Sequence, residues 1–166
     1  MIPGGGYSSG DKEAWRNEAY TYSKARYICA SLNYRLTQSG GNQDSLLRLY
    51  AMQCALEDIQ NAIRFLKKNA NTYFIDITRI VVFGGSAGEG LSLANAVEYD
   101  AAVGTNDHPG FLSKTKGSVS TGASLINYDA FDSPVLMFHA KEYDSGSNGY
   151  NWTGNAVPTQ QAINNS

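Results

Sequence analysis

Residues 79–88 read RIVVFGGSAG, an almost wholly apolar run that ends in a serine between glycines. Apolar runs without alternation are typical of strands in parallel sheets, because both faces of such a strand are covered. We therefore expect a strand over residues 79–83, buried on both faces, and a helix from about Ala87 to Tyr99. Ser86 would then lie at the turn between a buried strand and a helix.

The rest of the chain alternates between helical and strand patterns. Asp11 is a plausible N-cap for a first helix that ends near Lys24. Further helical and strand segments are predicted over residues 25–34 (strand), 44–69 (helix), 117–125 (strand) and 133–139 (strand). The long helix carries one apolar stripe at 3.6-residue spacing, formed by Met52, Ala55, Leu56, Ile59, Ala62, Ile63 and Leu66. This order predicts an α/β fold on a parallel sheet, and residues 1–166 form a single domain because no linker divides them.

The composition excludes several classes of protein. Thirteen basic and 15 acidic residues give a net charge of −2, and no cluster of Lys or Arg offers a nucleic-acid surface. No apolar run approaches the roughly 20 residues of a membrane span, and residues 1–6 lack the pattern of a signal peptide. Cys29 and Cys54 are expected to be small buried side chains. The charged fraction is only 17% while Asn, Ser, Gly and Tyr are frequent, a mix that favours a location outside the cytoplasm. Residues 151–153 and 164–166 fit the N-glycosylation pattern, which often arises by chance.

Residues 84–88 form a G-x-S-x-G pattern, which gains meaning from the strand before it and the helix after it. Such a turn strains the serine, and Gly84 and Gly88 remove side chains that would collide with neighbouring backbone. The turn would lift the Ser86 hydroxyl above the sheet edge, with the Ala87 amide pointing to where an anionic oxygen forms. The alternative is a glycine-rich turn that binds a phosphate or only reverses the chain.

The chain resembles the α/β-hydrolase esterases and lipases, particularly bacterial carboxylesterases related to hormone-sensitive lipase. The resemblance lies in residues 2–7 (IPGGGY, similar to the HGGG oxyanion loop), 31–36 (SLNYRL, similar to the end of the family's fourth strand), 55–59 with 75–80 (ALEDI and IDITRI), 85–88 (GSAG, at the nucleophile) and 133–140 (SPVLMFHA, before the catalytic acid). These stretches follow the family's order across most of the chain. The resemblance implies an α/β-hydrolase-like sheet with flanking helices.

The resemblance also implies roles for individual residues. Ser86 matches the nucleophile that forms an acyl-enzyme with a carboxylic ester. Gly5, Gly6 and Ala87 match the backbone donors of the oxyanion hole. Asp144 matches the catalytic acid, although it stands one residue later than in the family and Glu142 competes with it. The substrate would be a small-molecule ester, with no cofactor or metal, and the oligomeric state is left open.

Two replacements depart from the family's pattern near these residues. Pro3 stands where the HGGG loop has its histidine, which alters the usual anchor of the loop. Glu89 stands where the family usually has glycine, and a carboxylate is favourable at a helix N-terminus.

Larger departures concern the base and the start of the sheet. No histidine follows Asp144, and we interpret His108 and His139 as structural. Only Met1 and Ile2 precede the glycine loop, where the family has a strand between its fourth strand and the nucleophile's strand. We therefore expect an incomplete domain, a piece of a longer hydrolase.

Two other functions stay open. If the chain is complete, it would be a catalytically inactive hydrolase-fold module that binds a ligand or partner in the former acyl pocket. A third hypothesis is a cation-binding loop, since Asp144, Asn148 and Asn151 offer spaced oxygen ligands, although the EF-hand pattern is not met.

Overall fold

The computed structural model describes residues 1–37, 45–99, 107–121 and 132–138. The elements in chain order are a 3₁₀ turn (Lys12–Trp15), α1 (Arg16–Lys24), α2 (Ser45–Lys68), α3 (Ala70–Tyr73), β1 (Val81–Gly84), α4 (Ala87–Val97), β2 (Gly117–Ser120) and β3 (Val135–Met137). The predicted helices and the last three predicted strands are confirmed, with shorter strands than expected.

The three strands form a parallel sheet in the order β1-β2-β3. Val82 lies opposite Ser118, and Val119 lies opposite Leu136. Helix α4 connects β1 to β2, as parallel neighbours require a crossover connection. The predicted α/β architecture on a parallel sheet is therefore confirmed.

The two faces of this sheet differ in burial. Helix α4 packs on β1 and β2, and α2 packs on α4, so Val82, Ser118 and Ser120 are buried. On the opposite face, Val81 and Leu136 are each 54% exposed. The prediction that β1 is buried on both faces is therefore wrong within the described residues, because both large helix contacts lie on the same side.

Met1 and Ile2 lie beside β1 in the place expected for the strand before the glycine loop. The Ile2 amide donates to the Phe83 carbonyl at 2.8 Å, and Ile2 forms a parallel bridge with Gly84. On the other side, the Met1 amine donates to the Ala30 carbonyl at 2.8 Å. The N-terminal segment thus lies between the 25–34 segment and β1, as the resemblance implies.

The predicted strand over 25–34 does not form as a regular strand. Leu32 donates to Met1 at 3.3 Å, but residues 27–34 have no strand assignment, and Tyr27 and Ile28 are exposed. The segment is held by separate hydrogen bonds instead of a ladder, such as the one that the Ser31 hydroxyl donates to the Lys12 carbonyl at 2.7 Å. Cys29, in this segment, is half-exposed and not buried as predicted.

Helix α2 supplies the main apolar contact to the core. Its buried side chains include Ala55, Leu56, Ile59 and Ile63, with Met52 packed against them, which confirms the predicted stripe. Cys54, on the flank of this stripe, is half-exposed, so the prediction that it is buried is wrong.

The first helix begins where the sequence predicts. The Asp11 carboxylate accepts a hydrogen bond from the Glu13 amide at 2.9 Å, which is the expected N-cap contact. No residue of α1 is buried, and Trp15, just before α1, makes the contact with the sheet.

Candidate active site

Ser86 lies outside regular structure, between the end of β1 at Gly84 and the start of α4 at Ala87. Its φ of 55° and ψ of −118° place a non-glycine residue in a strained region, which costs about 1–3 kcal/mol. Such a conformation persists only where the surroundings hold it. The Ser86 residue is exposed, and its hydroxyl does not cap α4. A serine hydroxyl at the carboxyl edge of the sheet is therefore open to solvent.

The glycines on either side of Ser86 have no room for a side chain. A Cβ at Gly84 would overlap the Gly88 carbonyl oxygen and lie 2.8 Å from the Glu89 nitrogen. A Cβ at Gly88 would overlap the Ile2 carbonyl oxygen. The turn, the first turn of α4 and the N-terminal segment therefore meet backbone to backbone, and this close approach holds Ser86 in its strained conformation.

The glycine loop, residues 4–6, passes directly beside Ser86. The Gly85 amide donates to the Ile2 carbonyl at 3.4 Å, and a Cβ at Gly4 would lie 2.9 Å from Ser86 Cβ. Gly5 and Gly6 have φ of 114° and 61°, values that L side chains rarely adopt. The loop reaches the serine only because these residues are glycine.

Three backbone amides in the glycine loop and at the start of α4 make no hydrogen bond with a described residue. They are the amides of Gly5, Gly6 and Ala87. The Gly5 carbonyl instead accepts from the Ser8 and Ser9 amides, at 3.1 and 3.0 Å, which closes a tight turn. Unused N–H groups beside an exposed hydroxyl are the donors that an oxyanion needs.

Trp15 supports the turn from the exposed side of the sheet, and sequence reasoning gave it no role there. Its indole Nε1 donates to the Ile2 carbonyl at 2.9 Å, and its ring meets the Phe83 ring edge-on with centroids 4.7 Å apart. A Cβ at Gly85 would lie 2.9 Å from this indole. The available signal was a lone tryptophan in an otherwise polar helical segment.

Tyr34 contacts the glycine loop from within the core, and sequence reasoning gave it no role either. Its hydroxyl donates to the Pro3 carbonyl at 3.2 Å and lies 3.3 Å from the Gly4 carbonyl. Burial raises the pKa of this phenol, so it stays protonated and available as a donor. The sequence signal that could have indicated this contact was the position of Tyr34 within the SLNYRL stretch, residues 31–36.

Glu89 lies in the first turn of α4 and is buried, with 8% of its surface exposed. Its amide donates to the Ser86 carbonyl at 2.9 Å, and its carboxylate accepts from the Thr121 hydroxyl at 2.6 Å. Because Thr121 directly follows β2, this contact ties the turn that carries Ser86 to the end of the next strand.

The catalytic acid and base are not located by the described residues. Asp144, its competitor Glu142, and His139 lie outside them, as does the proposed cation loop over residues 144–151. Among the residues that are described, no group of three or more His, Cys, Asp or Glu side chains could hold a metal ion. No described helix combines the length and apolar character needed to cross a membrane.

His108 does not lie beside Ser86. Its ring packs against Phe65 of α2, with centroids 5.7 Å apart. Lys67, two residues further along α2, donates to the Leu112 carbonyl at 2.8 Å, in the segment that leads into β2. These contacts are at the amino edge of the sheet, whereas Ser86 is at its carboxyl edge. The placement agrees with the interpretation of His108 as structural.

Comparisons with known proteins give a xylanase by sequence and an esterase by structure. A stretch of 109 residues, 64% of this chain, is 32% identical to endo-1,4-beta-xylanase B of Butyrivibrio fibrisolvens and covers 16% of that protein. The butyrate-bound structure of the thermophilic esterase Est2 of Thermogutta terrifontis has a TM-score of 0.57 at 23% identity, over 75% of this chain and 42% of that chain. The same esterase phosphoramylated by tabun has a TM-score of 0.69 at 16% identity, over 98% and 65%.

These structural similarities show the α/β-hydrolase fold, while the chain spans less than half of the butyrate-bound Est2 chain and about a sixth of the xylanase. The family is shown by sequence, because a family model matches residues 1–160, nearly the whole chain. The chain belongs to the BD-FAE family, an α/β-hydrolase-type esterase family.

Proposed function

We propose that the chain carries the nucleophile and the oxyanion donors of a serine carboxylic ester hydrolase. The observation that carries the proposal is the exposed Ser86 at φ 55°, beside three amides that donate to no described residue. A strained residue whose side chain does not cap the helix that follows it is typical of functional sites. Family membership supports the same reaction class.

The reaction would proceed through an acyl-enzyme. Ser86 Oγ attacks the ester carbonyl carbon, a base takes the hydroxyl proton, and the carbonyl electron pair moves onto its oxygen. The amides of Gly5, Gly6 and Ala87 stabilise this oxyanion, each by about 3 kcal/mol in comparable enzymes. The tetrahedral intermediate then expels the alcohol, which receives the proton, and water releases the acid and frees Ser86. We propose that Asp144 orients the base.

Short acyl esters are the first substrates to test. The structure of Est2 with bound butyrate is of a related fold, so p-nitrophenyl butyrate is a suitable substrate. The sequence identity with a xylanase suggests acyl groups on xylan as a natural substrate class, and acetylated xylan tests it.

A fluorophosphonate probe tests the proposed nucleophile. Wild-type protein should acquire one covalent adduct, located at Ser86 by peptide mass spectrometry, and Ser86→Ala should acquire none. Ser23→Ala is the matched control, because Ser23 is exposed on α1 and its hydroxyl bonds only its own helix at Tyr20. Labelling that survives in Ser86→Ala would contradict the proposal.

The second candidate is a catalytically inactive binding module, which is favoured by the packing of His108 against Phe65 rather than beside Ser86 in the part of the chain that the structure describes. Serine without an imidazole base is a poor nucleophile at neutral pH. Under this alternative, well-folded wild-type protein would resist the probe and yet show saturable shifts of the Gly5 and Gly6 amide resonances when butyrate is titrated. Covalent labelling at Ser86 excludes this alternative.

A further inference from the structure

The glycine loop is anchored by Tyr34, at a place where Pro3 leaves no side chain that can donate a hydrogen bond. The Tyr34 residue is buried, with 6% of its surface exposed, and its ring packs against that of Tyr7, with centroids 6.4 Å apart. Its hydroxyl reaches 31 residues back along the chain to the Pro3 carbonyl, at 3.2 Å, and lies 3.3 Å from the Gly4 carbonyl. A buried phenol needs such a partner.

This contact determines which way the loop amides point. The described part of the chain contains no cis peptide bond, and in a trans peptide the carbonyl and the N–H point in opposite directions. Since the Gly4 carbonyl faces Tyr34, the Gly5 N–H of the same peptide unit faces away from it. Gly10 packs against the same carbonyl, because a Cβ there would overlap the Gly4 oxygen.

The turn that carries Ser86 also packs against Gly4. A Cβ at Gly4 would lie 2.8 Å from the Gly85 carbonyl oxygen and 2.9 Å from Ser86 Cβ. The loop thus contacts both the Tyr34 hydroxyl and the turn that carries Ser86. Its Gly5 amide, which faces away from Tyr34, donates to no described residue.

We propose that Tyr34 is a positioning residue, whose hydroxyl orients the Gly4–Gly5 peptide so that the Gly5 amide points to the oxyanion site. This inference rests on the proposed function of Ser86. Tyr34 is buried and its hydroxyl contacts the backbone of the loop, so it acts through the loop.

Tyr34→Phe tests the proposal because it removes the hydroxyl and keeps the ring. Loss of one oxyanion donor costs about 100- to 1,000-fold in comparable enzymes, so a misdirected donor should slow Ser86 phosphonylation about 10- to 100-fold. For p-nitrophenyl butyrate, kcat should fall with KM little changed. Tyr99→Phe is the matched control, since it also removes a phenol hydroxyl from a partly buried tyrosine, one that accepts from Lys114 Nζ at 3.4 Å and makes no contact with the glycine loop among the described residues.

A second measurement does not need Ser86 chemistry. In protein labelled with ¹⁵N-glycine, the heteronuclear NOE of the Gly5 and Gly6 amides should fall in Tyr34→Phe and stay unchanged in Tyr99→Phe. If wild-type protein resists the probe, the proposed function fails, and the amide measurement still decides whether Tyr34 orders the loop.

The proposal is overturned if Tyr34→Phe leaves the amides as ordered as in wild type, or if the amides loosen and a reactive Ser86 keeps its rate. Replacement of Tyr34 by 4-aminophenylalanine, which retains a donor, should restore both readouts. If Tyr34→Phe does not fold, 4-methylphenylalanine in its place gives the same contrast with 4-aminophenylalanine.

Discussion

The turn at residues 84–88 and the first half of α2 show opposite tolerance for side chains. At the turn, a single methyl group on Gly84 or Gly88 would overlap neighbouring backbone. In α2, Leu46, Leu47, Leu49 and Tyr50 are each more than half exposed, so large side chains there meet little. The side chains that the turn tolerates are limited by the close approach of neighbouring backbone. Those that α2 tolerates are limited by how far the core extends beneath the helix.

The difference is also visible within α2 itself. Leu49 and Leu56 are seven residues apart, two turns of helix, and therefore lie on the same side. Leu49 is 51% exposed, whereas Leu56 is 2% exposed. The apolar stripe continues beyond the described core, so helical periodicity alone does not measure burial.

The largest effect is expected for Gly88→Ala. The new methyl group would overlap the Ile2 carbonyl oxygen and force the N-terminal segment away from β1, at a cost of about 3 kcal/mol or more in the free energy of unfolding. Gly110→Ala is the control, because Gly110 has φ 89° and nothing within 4 Å of the added methyl group. Its strain should cost only about 1 kcal/mol. Equal losses in urea unfolding would contradict the steric account of the turn.

The next largest effect on the free energy of unfolding distinguishes the buried part of α2 from its exposed first half. Leu56→Ala should lower the free energy of unfolding by about 3 kcal/mol, because it leaves a cavity in the core. The same substitution at Leu49 should change it by less than about 0.5 kcal/mol, as at other exposed sites. Chemical denaturation of both variants measures this, and a large loss for Leu49→Ala would show that the exposed stripe is covered in solution.

A smaller change in the free energy of unfolding, of opposite sign, is expected on substitution of Ser86. Ser86→Gly should raise the free energy of unfolding by about 1 kcal/mol, because glycine adopts φ 55° without strain and the serine side chain caps nothing. The same variant should lose fluorophosphonate labelling. A destabilised Ser86→Gly would show that the side chain has a structural contact, and the strain argument for the active site would be wrong.

The smallest effect concerns Asp76, in the loop before β1. Hydrogen bonds from the Thr78 hydroxyl and amide, and then from Arg79, lower the pKa of this carboxyl from 3.8 to about 2. A folded-state pKa below the unfolded value means that Asp76 stabilises the fold above about pH 4, and that this contribution is lost as the pH falls towards 2. The difference in Tm between wild type and Asp76→Asn should therefore shrink between pH 5 and pH 2. Gln53→Ala, which removes an exposed and non-ionisable side chain from α2, should show no such change.

Much of the local structure could be predicted from the sequence. The apolar run at 79–83 correctly indicated β1, and the apolar stripe correctly indicated the long helix α2. Asp11 correctly indicated where the first helical segment begins. The prediction of a strand over residues 25–34 was wrong, because the hydrogen bonds that the structure describes for residues 30–33 go to Met1, Asp11 and Lys12 and not to a neighbouring strand. Strand propensity depends on the partner, which the segment itself does not contain.

The sequence by itself determined that Ser86 stands between a strand and a helix, because periodicity and the steric freedom of glycine act over a few residues. Only the tertiary structure decided that Trp15 and Tyr34 hold the glycine loop, that Glu89 meets Thr121, and that one face of the sheet is exposed. These contacts join residues 13 to 32 positions apart, so they depend on how the layers pack. Local sequence patterns do not encode such distances.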